Sequence, residues 1–197
     1  MASFSGKLIV ITGAASGIGK ATSKLLASRG ALLSLSDISE AGLKSVHDEI
    51  SGAASDAGLS HNILTQSLDV RSAEACNAWI ERTVSHFKMP IYGAANMAGI
   101  TGQPSLLRDN PASDFDAIWD VNIKGIVNSL RAQLPHLQKG IDGRGGGAIV
   151  NASSLSGLIG LPTYGPYVTS KFAVIGITRT AAKEEGPNGI RVNAIAP

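Results

Sequence analysis

The chain has 197 residues, a formal net charge of +2, 44% hydrophobic residues and 16% charged ones. That balance excludes a disordered chain, which needs low hydrophobicity and high net charge, and the absence of a long basic run gives no reason for a nucleic-acid partner. The single Cys76 excludes an internal disulfide, and no stretch approaches the ~18 apolar residues of a membrane span, so the expectation is one soluble, cytoplasmic domain in a reducing compartment, with no membrane partner.

In chain order, Lys7–Thr12 (KLIVIT) reads as a buried strand, and Gly13 and Gly17 interrupt it too early for a signal peptide. Helical spacing of Ile18, Ala21, Leu25 and Leu26 follows and stops at Arg29–Gly30. Ala31–Ser36 reads as a second strand ending at Asp37, then a more polar helix from Glu40 to about Ile50, and a Gly/Ala/Ser linker at Ser51–Gly58. Asn62–Leu68 is the expected third strand, leading into Asp69 and Val70. Ser72 is placed to cap a helix running to Phe87, whose buried face takes Cys76, Trp79, Ile80 and Thr83. A fourth strand is expected at Ile91–Ala95 and a polar loop at Thr101–Asn110. Asn110–Pro111 then fits a cap and first-turn proline for one helix through Trp119, Asn122, Ile126 and Leu130. After the Gly-rich loop Gly140–Gly147 come a fifth strand at Ala148–Asn151, a helix reaching Glu185 and a sixth strand at Gly189–Ala196.

Strands and helices alternating at this spacing predict an α/β fold, a doubly wound parallel sheet with helices on both faces. No spacing pairs His47, His61, His86 or His136 with cysteines or carboxylates, so no metal site is expected.

Two constellations carry chemistry. Gly13, Gly17 and Gly19 follow the first strand and open a helix. Glycines there allow a tight turn and a close backbone approach to a pyrophosphate, which the helix N-terminus attracts. Asp37 ends the second strand, where a carboxylate can accept from both ribose hydroxyls of an adenosine and repels a 2′-phosphate. No cation stands at Ser16 or Ile38. This favours NAD over NADP. The second constellation lies between Asn151 and Lys171. Tyr167 and Lys171 are four apart and share one helix face, and an ammonium beside a phenol favours the phenolate. Such a pair taken alone is also an ordinary amphipathic face. Ser154 arrives from a loop and can hydrogen-bond the same substrate oxygen. Asn122 interrupts an apolar stripe, and the pattern leaves it either in a structural network or in a site.

The whole chain resembles the short-chain dehydrogenases/reductases, a Rossmann-fold family. Thr12–Gly19 (TGAASGIG) matches its cofactor turn, Asp69–Val70 its adenine-contacting pair, and Asn96-Met97-Ala98-Gly99 its NNAG motif with Met97 in place of the second Asn. Asn122, Ser154, Tyr167 and Lys171 fall on its catalytic tetrad; Ser154 is chosen because it begins S-x-x-G thirteen residues before Tyr167, and Tyr167 because Lys lies four residues on. The resemblance implies a hydride-transferring oxidoreductase acting on a secondary alcohol or ketone. In it Tyr167 exchanges the proton, Lys171 favours the phenolate and holds the nicotinamide ribose, Ser154 polarises the substrate oxygen, and the Asn122 backbone holds a relay water. Cofactor contacts are implied for Gly13, Ser16, Gly17, Ile18, Gly19, Asp37, Asp69, Val70, Asn96, Ala98, Gly99, Tyr167 and Lys171. The same chemistry with NADP(H), or a nucleotide-binding scaffold without turnover, are the alternatives. The resemblance also implies a homodimer or homotetramer through the helices at Pro111–Leu137 and Tyr164–Glu185, and it places a substrate loop and a seventh strand beyond Pro197, so that residues 1–197 are expected to be part of a longer protein.

Overall fold

The computed structural model describes residues 3–56, 63–141 and 145–197. Asn62 and His61, the end of the expected 51–58 linker and part of the Gly-rich loop lie outside them. Six strands, β1 (Leu8–Thr12), β2 (Leu32–Asp37), β3 (Ile63–Ser67), β4 (Gly93–Asn96), β5 (Ala148–Ala152) and β6 (Arg191–Ile195), form one parallel sheet in the order β3-β2-β1-β4-β5-β6. This is a Rossmann-type doubly wound sheet.

The run LIVIT is buried at every position because both sheet faces are covered. Alternate side chains go to opposite faces. Leu8 and Val10 join Trp79, Ile80, Ile126, Leu130, Ile149 and Val174 in one core. Ile9 and Ile11 join Leu33, Leu35, Leu43, Val46 and Ile50 in the other. Helices α1 (Gly17–Ala27) and α2 (Glu40–Asp56) therefore cover one face, and α3 (Ala73–Phe87), α5 (Gly125–Gln133) and α6 (Gly165–Glu185) the other.

Several expected boundaries shift for physical reasons. Ile91 bridges Leu137 instead of β1, so β4 starts at Gly93. Helix α2 continues past Ile50 because Gly52, Ala53 and Ala54 do not forbid it. Ser72 caps α3 as its spacing predicts, accepting from the Ala75 N–H at 3.1 Å. Asn110 does not cap the next helix. Pro111 takes the capping position with an extended ψ of 141°, and α4 spans Ala112–Trp119. The single helix expected from residue 111 onward is instead interrupted by a π-helical turn at Asp120–Lys124, which separates α4 from α5. Such turns concentrate at functional sites.

Register sets the site. Thr12 pairs with Ser36 on one side and Asn96 on the other, and Asn96 pairs with Asn151. The C-terminal ends of the central strands are thus flush. Strand order reverses between β1 and β4, and the crevice outside that point is where open parallel sheets take ligands.

Candidate active site

The turn after β1 shows why glycine is needed. Gly13 has φ +66°, and a Cβ there would stand 2.7 Å from the Ala98 N atom. A Cβ on Gly19 would fall on the Gly13 carbonyl oxygen, so α1 can approach the turn only with glycine at that place. Ser16 caps α1 in position but its side chain bonds none of the first-turn N–H groups. Those groups, with the positive end of the helix dipole, suit an anion.

Asp37 lies at the end of β2. Its carboxylate accepts from the Ala15 N–H and the Ser39 N–H, both at 3.0 Å. The next residue, Ile38, is 68% exposed. Beyond β3, Arg71 clamps Asp69 with Nε at 3.0 and 2.8 Å and Nη2 at 2.5 Å, and this hydrogen bonding holds the Asp69 carboxyl below its usual range. Gly13, Ser16, Gly17, Ile18, Gly19, Asp37, Asp69, Val70, Ala98 and Gly99 all line one cleft of about 500 Å³. Ile38, Leu68, Arg71, Met97, Ile100, Val121 and Ala152 complete its wall. Sequence reasoning had not assigned these seven to the cleft; their only signal was adjacency to the motifs.

Asn96 is placed otherwise. Its amide exchanges hydrogen bonds with Gln133 at 2.8 and 3.2 Å and donates to Asn151 at 2.9 Å, and Asn151 in turn donates to Thr178 at 3.0 Å. This buried chain ties β4 to β5, α5 and α6, and the Asn96 side chain does not line the cleft.

Asn122 sits in the π-helical turn, fully buried. Its Oδ1 accepts from the Ile100 N–H at 2.8 Å, and its Nδ2 donates to the Ile100 carbonyl at 2.9 Å and to Ser170 Oγ at 3.0 Å. Ser170 Oγ in turn donates to the Tyr167 carbonyl at 2.7 Å. The amide thus fastens the loop after β4 to the turn of α6 that carries Tyr167. Gly99 makes this fit: a Cβ there would stand 3.1 Å from Asn122 Oδ1 and 3.5 Å from Lys171 Nζ.

Lys171 is buried, and its Nζ donates to the Ala152 carbonyl at 2.9 Å. Burial pushes its pKa down to about 8. Its Nζ stands 5.4 Å from the centroid of the Tyr167 ring. Ser154 follows β5, caps the short turn Leu155–Gly157 and donates to the Pro197 carbonyl at 3.4 Å. Ser153, next to it, donates to the Lys171 carbonyl at 2.9 Å, so the serine loop is pinned to α6 beside Lys171. Gly157 is required there, since a Cβ would meet Ser153 Oγ and stand 2.7 Å from the Lys171 carbonyl oxygen. Asn122, Tyr167 and Lys171 are therefore brought together next to the cleft-lining Gly99, Ile100 and Ala152, with Ser154 on the adjoining loop, but none of the four lines the cleft itself. Among the described residues no group of three or more His, Cys, Asp or Glu side chains could hold a metal ion. Among the described residues no helix is long and apolar enough to cross a membrane.

The family profile described as short chain dehydrogenase matches residues 7–197. The chain belongs to this family. A relative among the short-chain dehydrogenases, "Short-chain dehydrogenase/reductase aba4" of Botryotinia fuckeliana (strain B05.10), is 42% identical over 198 residues, covering 98% of this chain and 72% of its own. The crystal structure of levodione reductase superposes with a TM-score of 0.89 at 34% identity, covering 98% of this chain and 72% of that one. NAD+-bound xylitol dehydrogenase superposes at 0.88 and 32% identity, covering 98% and 70%.

Proposed function

We propose that this protein interconverts a secondary alcohol and a ketone with a nicotinamide cofactor, NAD in preference to NADP, and that Tyr167 is the general acid/base. The observation that carries the reading is the meeting of Lys171 with the Asn122 turn across Gly99 and with the Tyr167 ring, beside the glycine-lined cleft. The glycine turn, the free end of α1 and the Asp37 carboxylate fit the pyrophosphate and the adenosine ribose, and a solved neighbour is an NAD+ complex. Bound there, the nicotinamide supplies or accepts the hydride.

The residues of the chain do the rest. Lys171 directs positive charge at the phenol and favours its ionised form. In oxidation Tyr167 takes the alcohol proton, and in reduction it returns one to the carbonyl oxygen. Ser154 donates to the same oxygen and meets the charge that develops on it. Asn122 uses its whole side chain in structure, which leaves its backbone for the relay role. NAD selectivity follows from Asp37, which has no cation beside it at Ser16 or Ile38. Trp119 on α4 and Phe172 on α6 remain 44% and 47% exposed, and we assign this side to homo-oligomer contacts.

Fluorescence titration with NADH and NADPH, on the wild type and Asp37→Ala, tests the reading. NADH binding with NADPH rejected until Asp37 is removed is the expected result. Equal binding of both by the wild type would overturn the selectivity, and binding of neither would overturn the oxidoreductase reading.

A further inference from the structure

Two loops flank the candidate catalytic residues, and they are joined. Ser105 forms a parallel bridge with Tyr164, and its N–H donates to the Thr163 carbonyl at 2.8 Å. Leu107 seats on Gly165, where a Cβ would stand 2.7 Å from Leu107 Cδ1. One loop leads from the cleft wall at Ile100; the other begins at Ser154 and ends four residues before Tyr167.

The joined loops expose large apolar side chains. Leu106, Leu107, Leu155, Leu158, Ile159 and Leu161 are each 44–67% exposed. Neither 100–107 nor 155–163 contains an ionisable side chain. Three of their hydroxyls bond nearby backbone, Thr163 to the Pro162 carbonyl at 2.6 Å, Ser105 to Leu106 at 3.4 Å and Thr101 to Gly102 at 3.5 Å, and the polar side chains besides these are Ser156, which is buried, and Gln103. A polyol entering such a site would find few partners for its several hydroxyls, which is costly, whereas an apolar body loses nothing on leaving water.

Backbone strain points the same way. Thr163 has φ +69°, a left-handed conformation rarely adopted by a β-branched residue. Strain of this kind persists only where the surroundings impose it, and it clusters at ligand sites. Here the Thr163 carbonyl accepts from the Ser105 N–H, next to the Ser105–Tyr164 bridge.

We propose that these loops hold the non-reacting body of the substrate, and that this body is lipophilic, an alicyclic or branched aliphatic alcohol or ketone and not a polyol. The proposal rests on the oxidoreductase reading above. It assigns the apolar side chains to contact with substrate, so they act on its recognition and not on the cofactor.

Steady-state kinetics of the full chain with NAD, over secondary alcohols of increasing size and over xylitol, provides the test. Catalytic efficiency should rise roughly fourfold per added methylene, and cyclohexanol should exceed xylitol on the order of 100-fold. Leu158→Asn and Leu107→Asn, both at exposed positions, should raise KM for cyclohexanol several-fold with NADH affinity unchanged. Preference for xylitol, NADH binding without turnover of any apolar alcohol, or an unaltered KM in both variants would overturn the proposal. Absence of NADH binding would overturn the oxidoreductase reading, and the proposal with it.

Discussion

The Lys171 ammonium faces the Tyr167 ring at 5.4 Å from its centroid while donating to the Ala152 carbonyl at 2.9 Å. Burial brings its pKa from 10.5 to about 8. Below pH 8 the group is protonated in both folded and unfolded chains, and the fold bears the full cost of a buried charge. Between about 8 and 10.5 the folded protein releases a proton that the unfolded chain keeps, so this cost diminishes as pH rises. The stability of the wild type relative to Lys171→Met should therefore increase by about 3 kcal/mol across that window. Urea unfolding of both proteins at pH 7.5 and pH 10 measures it, and a constant difference would contradict the assignment.

Asn122→Ala removes bonds to the Ile100 N–H, the Ile100 carbonyl and Ser170 Oγ. At about 1 kcal/mol each, the loss should be about 3 kcal/mol. Thermal melting reports this, and kcat should fall at least about tenfold as the π-helical turn relaxes. A variant with normal kcat would leave Asn122 a purely structural residue.

Gly17 and Gly19 should respond differently to alanine. Gly17 has φ +47° with open space around it, so Gly17→Ala meets only backbone strain of about 1–2 kcal/mol. Gly19→Ala drives its methyl onto the Gly13 carbonyl and must displace α1. NADH titration should find binding weakened by Gly17→Ala and lost with Gly19→Ala.

Cys76 is 1% exposed, and burial pushes its thiol up to about 11. Alkylation by iodoacetamide at pH 8 should be negligible in the folded protein and rapid in urea. Cys76→Ala should cost about 1–2 kcal/mol of stability and leave kcat unchanged. Because it is the chain's single cysteine, its labelling rate would count opening events of the core.

If Trp119 and Phe172 meet a second copy, light scattering at micromolar concentration should find a dimer or tetramer. Trp119→Asp should then shift it toward monomer, whereas a wild-type monomer would contradict the oligomer assignment.

The sheet was legible in the sequence because its strands are short apolar runs that end in motif residues: Thr12, Asp37, Asn96 and Asn151 all fall at C-terminal ends. The four-residue step from Tyr167 to Lys171 was equally readable, since only a helix joins them. The π-helical turn was not. No residue of Asp120–Lys124 forbids an α-helix, and the cause is tertiary: Asn122 reaches Ile100, and Gly125 lies so close to Val70 that a Cβ would stand 2.6 Å from Val70 Cγ2. The cap at Asn110 failed for a related reason. Its amide atoms are buried without a hydrogen-bond partner among the described residues, because the backbone turns that side chain inward. Ser170 and Ser153 gave no signal either, since their role is to bond carbonyls that only the folded chain brings near.

Asp37 performs two tasks with one carboxylate. Besides the ribose contact proposed for it, it holds the N–H groups of Ala15 and Ser39, one in the glycine turn and one just before the following helix. A lineage drifting toward the phosphorylated cofactor would therefore need more than a new cation: it would have to supply fresh acceptors for two backbone amides at the same moment. Loss of Asp37 alone passes through an intermediate that is both less selective and less firmly folded. The NAD preference proposed for this chain would in that sense be protected by its architecture, and a change of cofactor would be a path of several coordinated substitutions.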